Sequence, residues 1–154
     1  MNVAIKRASF APGNFFNASA YPASDIEDFV ATSRLIAQEK VGPEKVEAIH
    51  VTAIHRLGLK TRASKSQTAR EINILMPANL ALGNYILKTR HDVDFSFKDA
   101  ELNIFEGVSG EIKLEPAQED ENVRGSFQVE VEDPRTEGKT FLLKGQFQVL
   151  KKPD

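Results

Sequence analysis

Hydrophobic and polar residues alternate most regularly at the end of the chain. Over residues 125–152, GSFQVEVEDPRTEGKTFLLKGQFQVLKK, the apolar side chains Phe127, Val129, Val131, Phe141, Leu143, Phe147 and Val149 occupy odd positions. Gln128, Glu130, Lys144, Gln146 and Gln148 lie between them. Successive strand side chains point to opposite faces, so all seven apolar groups can share one buried face. Burying them contributes about 10–20 kcal/mol before chain entropy is subtracted. The stretch 132–138, EDPRTEG, carries turn residues and reads as a solvated hairpin loop.

The same two-residue period recurs upstream. Residues 46–57 read as a strand with Ile49, Val51 and Ala53 on one face and His50, Thr52 and Ile54 on the other. Ile72, Ile74 and Met76 are in phase on the returning strand 70–76, which Pro77 stops. Tyr85 and Leu87 mark a strand at 83–89, and Val93, Phe95 and Phe97 mark the next. Leu102 and Ile104 follow across a short turn at 98–100, and Ile112 and Leu114 point inward from 110–115. Gly110, Gly125 and Gly145 stand where a bulge, a bend or a close backbone approach is expected.

Two stretches lack a clean period. Residues 24–38 begin with Ser24 and Glu27 at capping-box spacing, then alternate, which predicts a short helical turn at 24–28 and a strand at about 29–38. Residues 1–23 mix Phe10, Phe15, Phe16 and Tyr21 with Pro12, Gly13 and Pro22. They read as an irregular N-terminal arm. Its aromatics pack on the body, or the arm crosses to a second subunit and pairs with an open strand edge.

Short strands separated by turn signals predict an all-β fold: an antiparallel β-sandwich, or partly closed barrel, of about seven to nine strands. A single domain at 24–154 follows the arm at 1–23. The length of 154 residues suits one domain.

Composition narrows the function classes. Ten Phe against two Tyr and no Trp give a core built on Phe. The net charge of −2 supplies no drive toward nucleic acid. The chain is polarised, with 10 Lys/Arg and 7 Asp/Glu in residues 1–77 against 10 and 15 in residues 78–154. No cysteine is present, which removes disulfides, thiolate metal sites and cysteine nucleophiles. That absence fits a cytoplasmic location and leaves secretion open. No apolar run approaches the ~20 residues of a membrane helix. Lys6-Arg7 and Ala18-Ser19-Ala20 mimic a signal peptide, but Pro12, Gly13, Asn14 and Asn17 make a poor apolar core for one. Asn17-Ala18-Ser19 has glycosylation spacing, relevant only to a secreted eukaryotic protein.

A series of glycine-led strands carries a resemblance. It comprises Gly83-Asn84-Tyr85-Ile86-Leu87, Ser109-Gly110-Glu111-Ile112, Gly125-Ser126-Phe127-Gln128-Val129 and Gly145-Gln146-Phe147-Gln148-Val149. Over residues 46–150 the chain resembles small uncharacterised bacterial β-sandwich domains, many of them on lipoproteins. The resemblance implies a sandwich and no catalytic residues. The lipoprotein cysteine is missing, so lipid anchoring is not carried over.

Chemistry-bearing residues are few. His50 and His55 lie five apart and face opposite ways in a regular strand, so they do not share a metal. His91, Asp92 and Asp94, with Glu101 across the hairpin, form the densest ionisable group. Oxygen ligands of that kind suit calcium or magnesium, but no full oxygen coordination set is visible, and a charge-guarded strand edge is the default reading. Arg56, Lys60, Arg62, Lys65 and Arg70 form a cationic run without an acid, suited to phosphate or an acidic partner, or simply to a solvated loop. No aromatic interleaves it, which argues against base stacking. Phosphate loops, nucleophile elbows and zinc-protease motifs are missing.

The expectation is a non-catalytic interaction domain without cofactor or metal. It would act through protein–protein contacts or self-association, using sheet edges, the basic loop or the aromatic arm. Two alternatives stand beside it: a barrel carrying a small apolar ligand, and a metal-assisted enzyme using His91, Asp92 and Asp94.

Overall fold

The computed structural model describes residues 6–9, 13–21, 26–57, 68–117 and 119–151. These form β1 (Lys6–Ser9), β2 (Phe15–Tyr21), β3 (Phe29–Val30), β4 (Ser33–Val41), β5 (Val46–Arg56), β6 (Ala69–Pro77), β7 (Gly83–Ile86), β8 (Asp94–Lys98), β9 (Ile104–Glu115), β10 (Asn122–Glu132) and β11 (Thr140–Leu150). The fold is all-β and antiparallel, with no helix among the described residues. Residues 26–28 are irregular chain, and the rest of the expected helical turn at 24–28 lies outside the described residues.

The strands make one sheet rather than two stacked ones, in the order β1-β4-β5-β6-β8-β9-β10-β11-β2-β3, with β7 beside β9. Its two ends approach each other along residues 29–41. On one side Asn17 and Ala18 of β2 pair with Val30 and Phe29, and Ala31 N donates to Phe16 O at 3.0 Å. On the other, Thr32 N donates to Ile54 O at 2.7 Å, and β4 continues along β5. The sheet therefore curls into a barrel-like shell, which leaves little unpaired edge. This replaces the expected sandwich with the partly closed alternative. Residues 6–9 and 15–21 of the expected irregular arm are strands: β1 pairs with β4, and β2 pairs with β11 from Phe15↔Gln148 to Tyr21↔Leu142.

Phe side chains fill the interior. Phe16, Phe95, Phe97, Phe105, Phe127 and Phe147 are each at most 2% exposed. Their rings are linked, with centroids 5.4 Å apart for Phe16–Phe147, 5.0 Å for Phe95–Phe127 and 5.3 Å for Phe97–Phe105. Phe29 touches both Phe16, at 6.1 Å, and Phe97, at 6.4 Å. All seven apolar side chains of the C-terminal hairpin are buried in this core.

The glycine-led strands have a packing cause. In the β10–β11 register Gly125 lies opposite Phe147, and Phe127 opposite Gly145. A Cβ on Gly125 would stand 2.7 Å from the Phe147 ring, and one on Gly145 would overlap the Phe127 ring. Each glycine is thus the floor on which the cross-strand phenyl ring lies.

A bulge corrects one phase. Between β9 and β10 the pairs Ser109↔Glu130 and Gly107↔Val131 leave Val108 unopposed. The extra residue lets odd Phe105 and even Ile112 and Leu114 face the same core. Leu102 and Ile104, which precede the bulge, do not share the inward face of Ile112 and Leu114. They are 70% and 50% exposed, and Leu102 sits in the turn at φ 70°. The 132–138 loop also differs from expectation, because Asp133 is buried at 3% exposure. It accepts from the Arg135 backbone N–H at 2.8 Å and from its guanidinium at 3.0 Å.

Candidate functional site

On the face of β4, β5, β6 and β8 turned away from the core, polar side chains come together. The register aligns Thr52 with Asn73 and Asn73 with Ser96, while His50 lies opposite Ala37 and Leu75. His50 Nδ1 lies 2.7 Å from Glu39 Oε1, and a carboxylate only accepts, so Nδ1 carries the proton of that bond. His50 Nε2 lies 2.8 Å from Asn73 Oδ1. The Thr52 hydroxyl donates to the same Oδ1 at 2.6 Å and stands 3.3 Å from Nε2. Glu39 and Asn73 thus flank the imidazole at its two nitrogens. An open cleft of about 260 Å³ lies over this network, lined by Glu39, His50, Asn73, Asp94 and Ser96 among others. Asp94 accepts from Phe95 N at 2.8 Å through Oδ1. Two carboxylates, an amide and a hydroxyl make the cleft a polar, acid-rimmed surface with donors and acceptors already fixed in position.

The sequence had singled out His50 but not its partners. The signal was present in the register: the polar phase of the 46–57 and 70–76 strands holds His50, Thr52 and Asn73, and antiparallel pairing juxtaposes them. Glu39 is not legible, because the alternation supports a strand only to about residue 38.

His55 lies on the opposite face, as the spacing required. Its ring meets the edge of Phe29 at 5.5 Å. Arg70 is not a loop cation. It is 7% exposed, donates from Nη1 to the Glu27 carbonyl at 2.8 Å and from Nη2 to the Asp28 carbonyl at 2.6 Å, and lies over the Phe29 ring. Its Nη2 also stands 2.7 Å from His55 Nδ1. Arg70 thus ties the 26–28 segment to the sheet. Arg56 ends β5 half-buried, its N–H donating to Thr32 Oγ1 at 3.2 Å. Lys60, Arg62 and Lys65 lie outside the described residues. A second cleft of about 280 Å³ is lined by Glu27, Leu57, Arg70, Phe97, Glu101 and Arg135 among others.

Burial, then the Arg70 charge, holds His55 below the ordinary histidine value, with Glu27 pulling the other way. Its unfolded form titrates near 6.5, so as the pH falls the unfolded chain takes up the proton first. Stability is therefore expected to drop as pH falls from about 6.5 toward the folded value. In urea unfolding across that range, His55→Gln should reduce the slope of stability against pH. An unchanged slope would show that His55 does not titrate differently on folding.

His91 and Asp94 line one cleft with Arg90, but with Asp92 they do not form a metal cluster. Asp92 is engaged by Arg90, with 2.5 Å and 2.8 Å contacts to its two oxygens, and Asp94 caps Phe95. His91 lies against Gly42, where a Cβ would stand 2.8 Å from it. Glu101 belongs to the second cleft. Among the described residues no group of three His, Asp or Glu side chains could hold a metal ion. Of the arm aromatics, Phe16 is in the core, Phe15 is half-buried, Tyr21 is exposed beneath Lys144 Nζ at 5.2 Å, and Phe10 lies outside the described residues. No described helix is long and apolar enough to cross a membrane.

Comparison with known proteins adds nothing to this geometry: no family model, no curated protein and no solved structure matches the chain.

Proposed function

We propose that this chain is a non-catalytic interaction domain, and that the acid-rimmed cleft over His50 receives a basic side chain of a protein partner. The observation that carries this reading is the fixed network Glu39–His50–Asn73–Thr52 flanked by Asp94. Glu39 and Asp94 each use one oxygen in the bonds described and have a second for a cation. An arginine or lysine head group meets two carboxylates there, and charge-assisted bonds of that type are the strong ones. The Phe-filled interior favours surface recognition over carriage of an apolar ligand inside the shell.

The test is an NMR titration of ¹⁵N-labelled protein with a short arginine peptide and its citrulline counterpart. The basic peptide is expected to shift the amides of His50, Asn73 and Ser96, more weakly at high salt. Glu39→Gln and Asp94→Asn should each weaken the effect, and together abolish it. Equal shifts from the citrulline peptide, or none from either, would overturn the reading.

A further inference from the structure

Among the described residues, β7 presents an open strand edge. β7 pairs with β9 from Gly83↔Leu114 to Ile86↔Glu111, and no strand borders its other side among the described residues. Leu87 N donates to Gly110 O at 3.0 Å. In an antiparallel pair the residues that turn both backbone groups to a neighbour alternate. Leu87, Tyr85 and Gly83 therefore address β9, while Asn84 and Ile86 turn their N–H and C=O groups outward; Leu82 lies in the bend just before β7, its carbonyl on the outward side, trans to the Gly83 N–H. Leu82, at 61%, Asn84 and Ile86, at 48%, are exposed, as is Gly83, whereas Tyr85 is half-buried and Leu87 buried. Natural edges are commonly guarded by charge or proline. The free part of β4 carries Glu39 and Lys40, but residues 82–87, LGNYIL, hold neither charge nor proline.

We propose that this edge joins a second copy of the chain, the two β7 strands running antiparallel about a twofold axis at Asn84. In that register Asn84 faces its own copy, and Leu82 faces Ile86 of the second copy, twice over. The Asn84 pair belongs to the class in which two residues exchange both N–H···O=C bonds, and the outward Ile86 N–H meets the Leu82 carbonyl on either side of it. Ile86 O also accepts from Thr89 Oγ1 at 2.6 Å, and a carbonyl has a second lone pair for the ladder. The register that satisfies the outward backbone groups is thus also the one that places apolar against apolar. An edge this short buries less than a standard interface, so the dimer is weak and concentration-dependent. The inference uses a surface other than the His50 cleft.

Sedimentation velocity on the full chain, from low micromolar to near-millimolar concentration, tests it. Wild type is expected to shift from monomer to dimer. Leu82→Lys/Ile86→Lys sets like charges opposite each other and should weaken the dimer at least tenfold. Leu82→Glu/Ile86→Lys sets opposite charges face to face and should restore it, with a dependence on salt. All substituted side chains are exposed, so circular dichroism should stay that of the wild type. A monomer at every concentration overturns the proposal. A dimer that the Lys/Lys variant leaves intact places self-association on another surface, and failure of the Glu/Lys variant to restore pairing overturns the register. None of these outcomes bears on the arginine-peptide titration, which stands or falls separately.

Discussion

Replacing Phe127 with alanine is expected to lower the unfolding free energy by about 3–5 kcal/mol, the cost of a large cavity in a packed core. Phe127 is 2% exposed, and its ring meets those of Phe16, Phe95 and Phe147 at 5.8, 5.0 and 6.5 Å. Those neighbours come from β2, β8 and β11, so truncation removes a contact shared by four strands. The ring also lies on Gly145 of the facing strand. Gly145→Ala, destabilising alone because its Cβ would overlap that ring and the Asn17 carbonyl, should be less so beside Phe127→Ala. Coupling through the shared ring predicts this non-additivity. Chemical denaturation of the wild type, both single variants and the double variant measures it, and strictly additive values would show that the ring and the glycine do not share space.

Gly110→Ala should cost about 3 kcal/mol or more, from backbone strain and overpacking together. Gly110 has φ 116°, a conformation that side-chain-bearing residues rarely adopt, and a Cβ there would overlap the Gln128 carbonyl of β10. The residue lies just past the unopposed Val108, where β9 is re-phased so that Phe105 and Ile112 both face inward. Its carbonyl also accepts from Leu87 N, at the end of β7. The substitution therefore strikes the bulge and the β7 attachment together. A thermal midpoint equal to wild type would contradict this role.

These residues also mark what the sequence could disclose. The C-terminal hairpin was legible because alternation is local, and every apolar odd position in it is buried. Gly110, Gly125 and Gly145 were legible as points of close approach, although which rings they admit depends on cross-strand register. Leu102 and Ile104 stand outside because one extra residue at Val108 resets the phase; Gly110 marks an irregularity nearby, but not which residue goes unopposed. Alternation records inside and outside, not whether the facing strands belong to one sheet or two, so a curled sheet and a sandwich share the same pattern. Pro12 and Gly13 broke the N-terminal period, and the partner of Phe16 is Phe147 at the far end of the chain, which hid β2. Arg70 looked like a loop cation because its acceptors are backbone carbonyls, which carry no compositional mark. In the candidate cleft His50, Thr52 and Asn73 follow from the hairpin register, whereas Glu39 and Asp94 join them only once β4 and β8 flank that hairpin.

The most direct measurement of a single sheet wrapped around one Phe-filled interior is the set of nuclear Overhauser contacts of Phe29. This ring belongs to the segment where the sheet ends approach, and it touches Phe16 of β2 on one side and Phe97 of β8 on the other. With selectively labelled phenylalanine, cross-peaks from Phe29 to both Phe16 and Phe97 are the expected result. Contacts to Phe16 without Phe97, or to neither, would mean that the sheet does not curl back on itself.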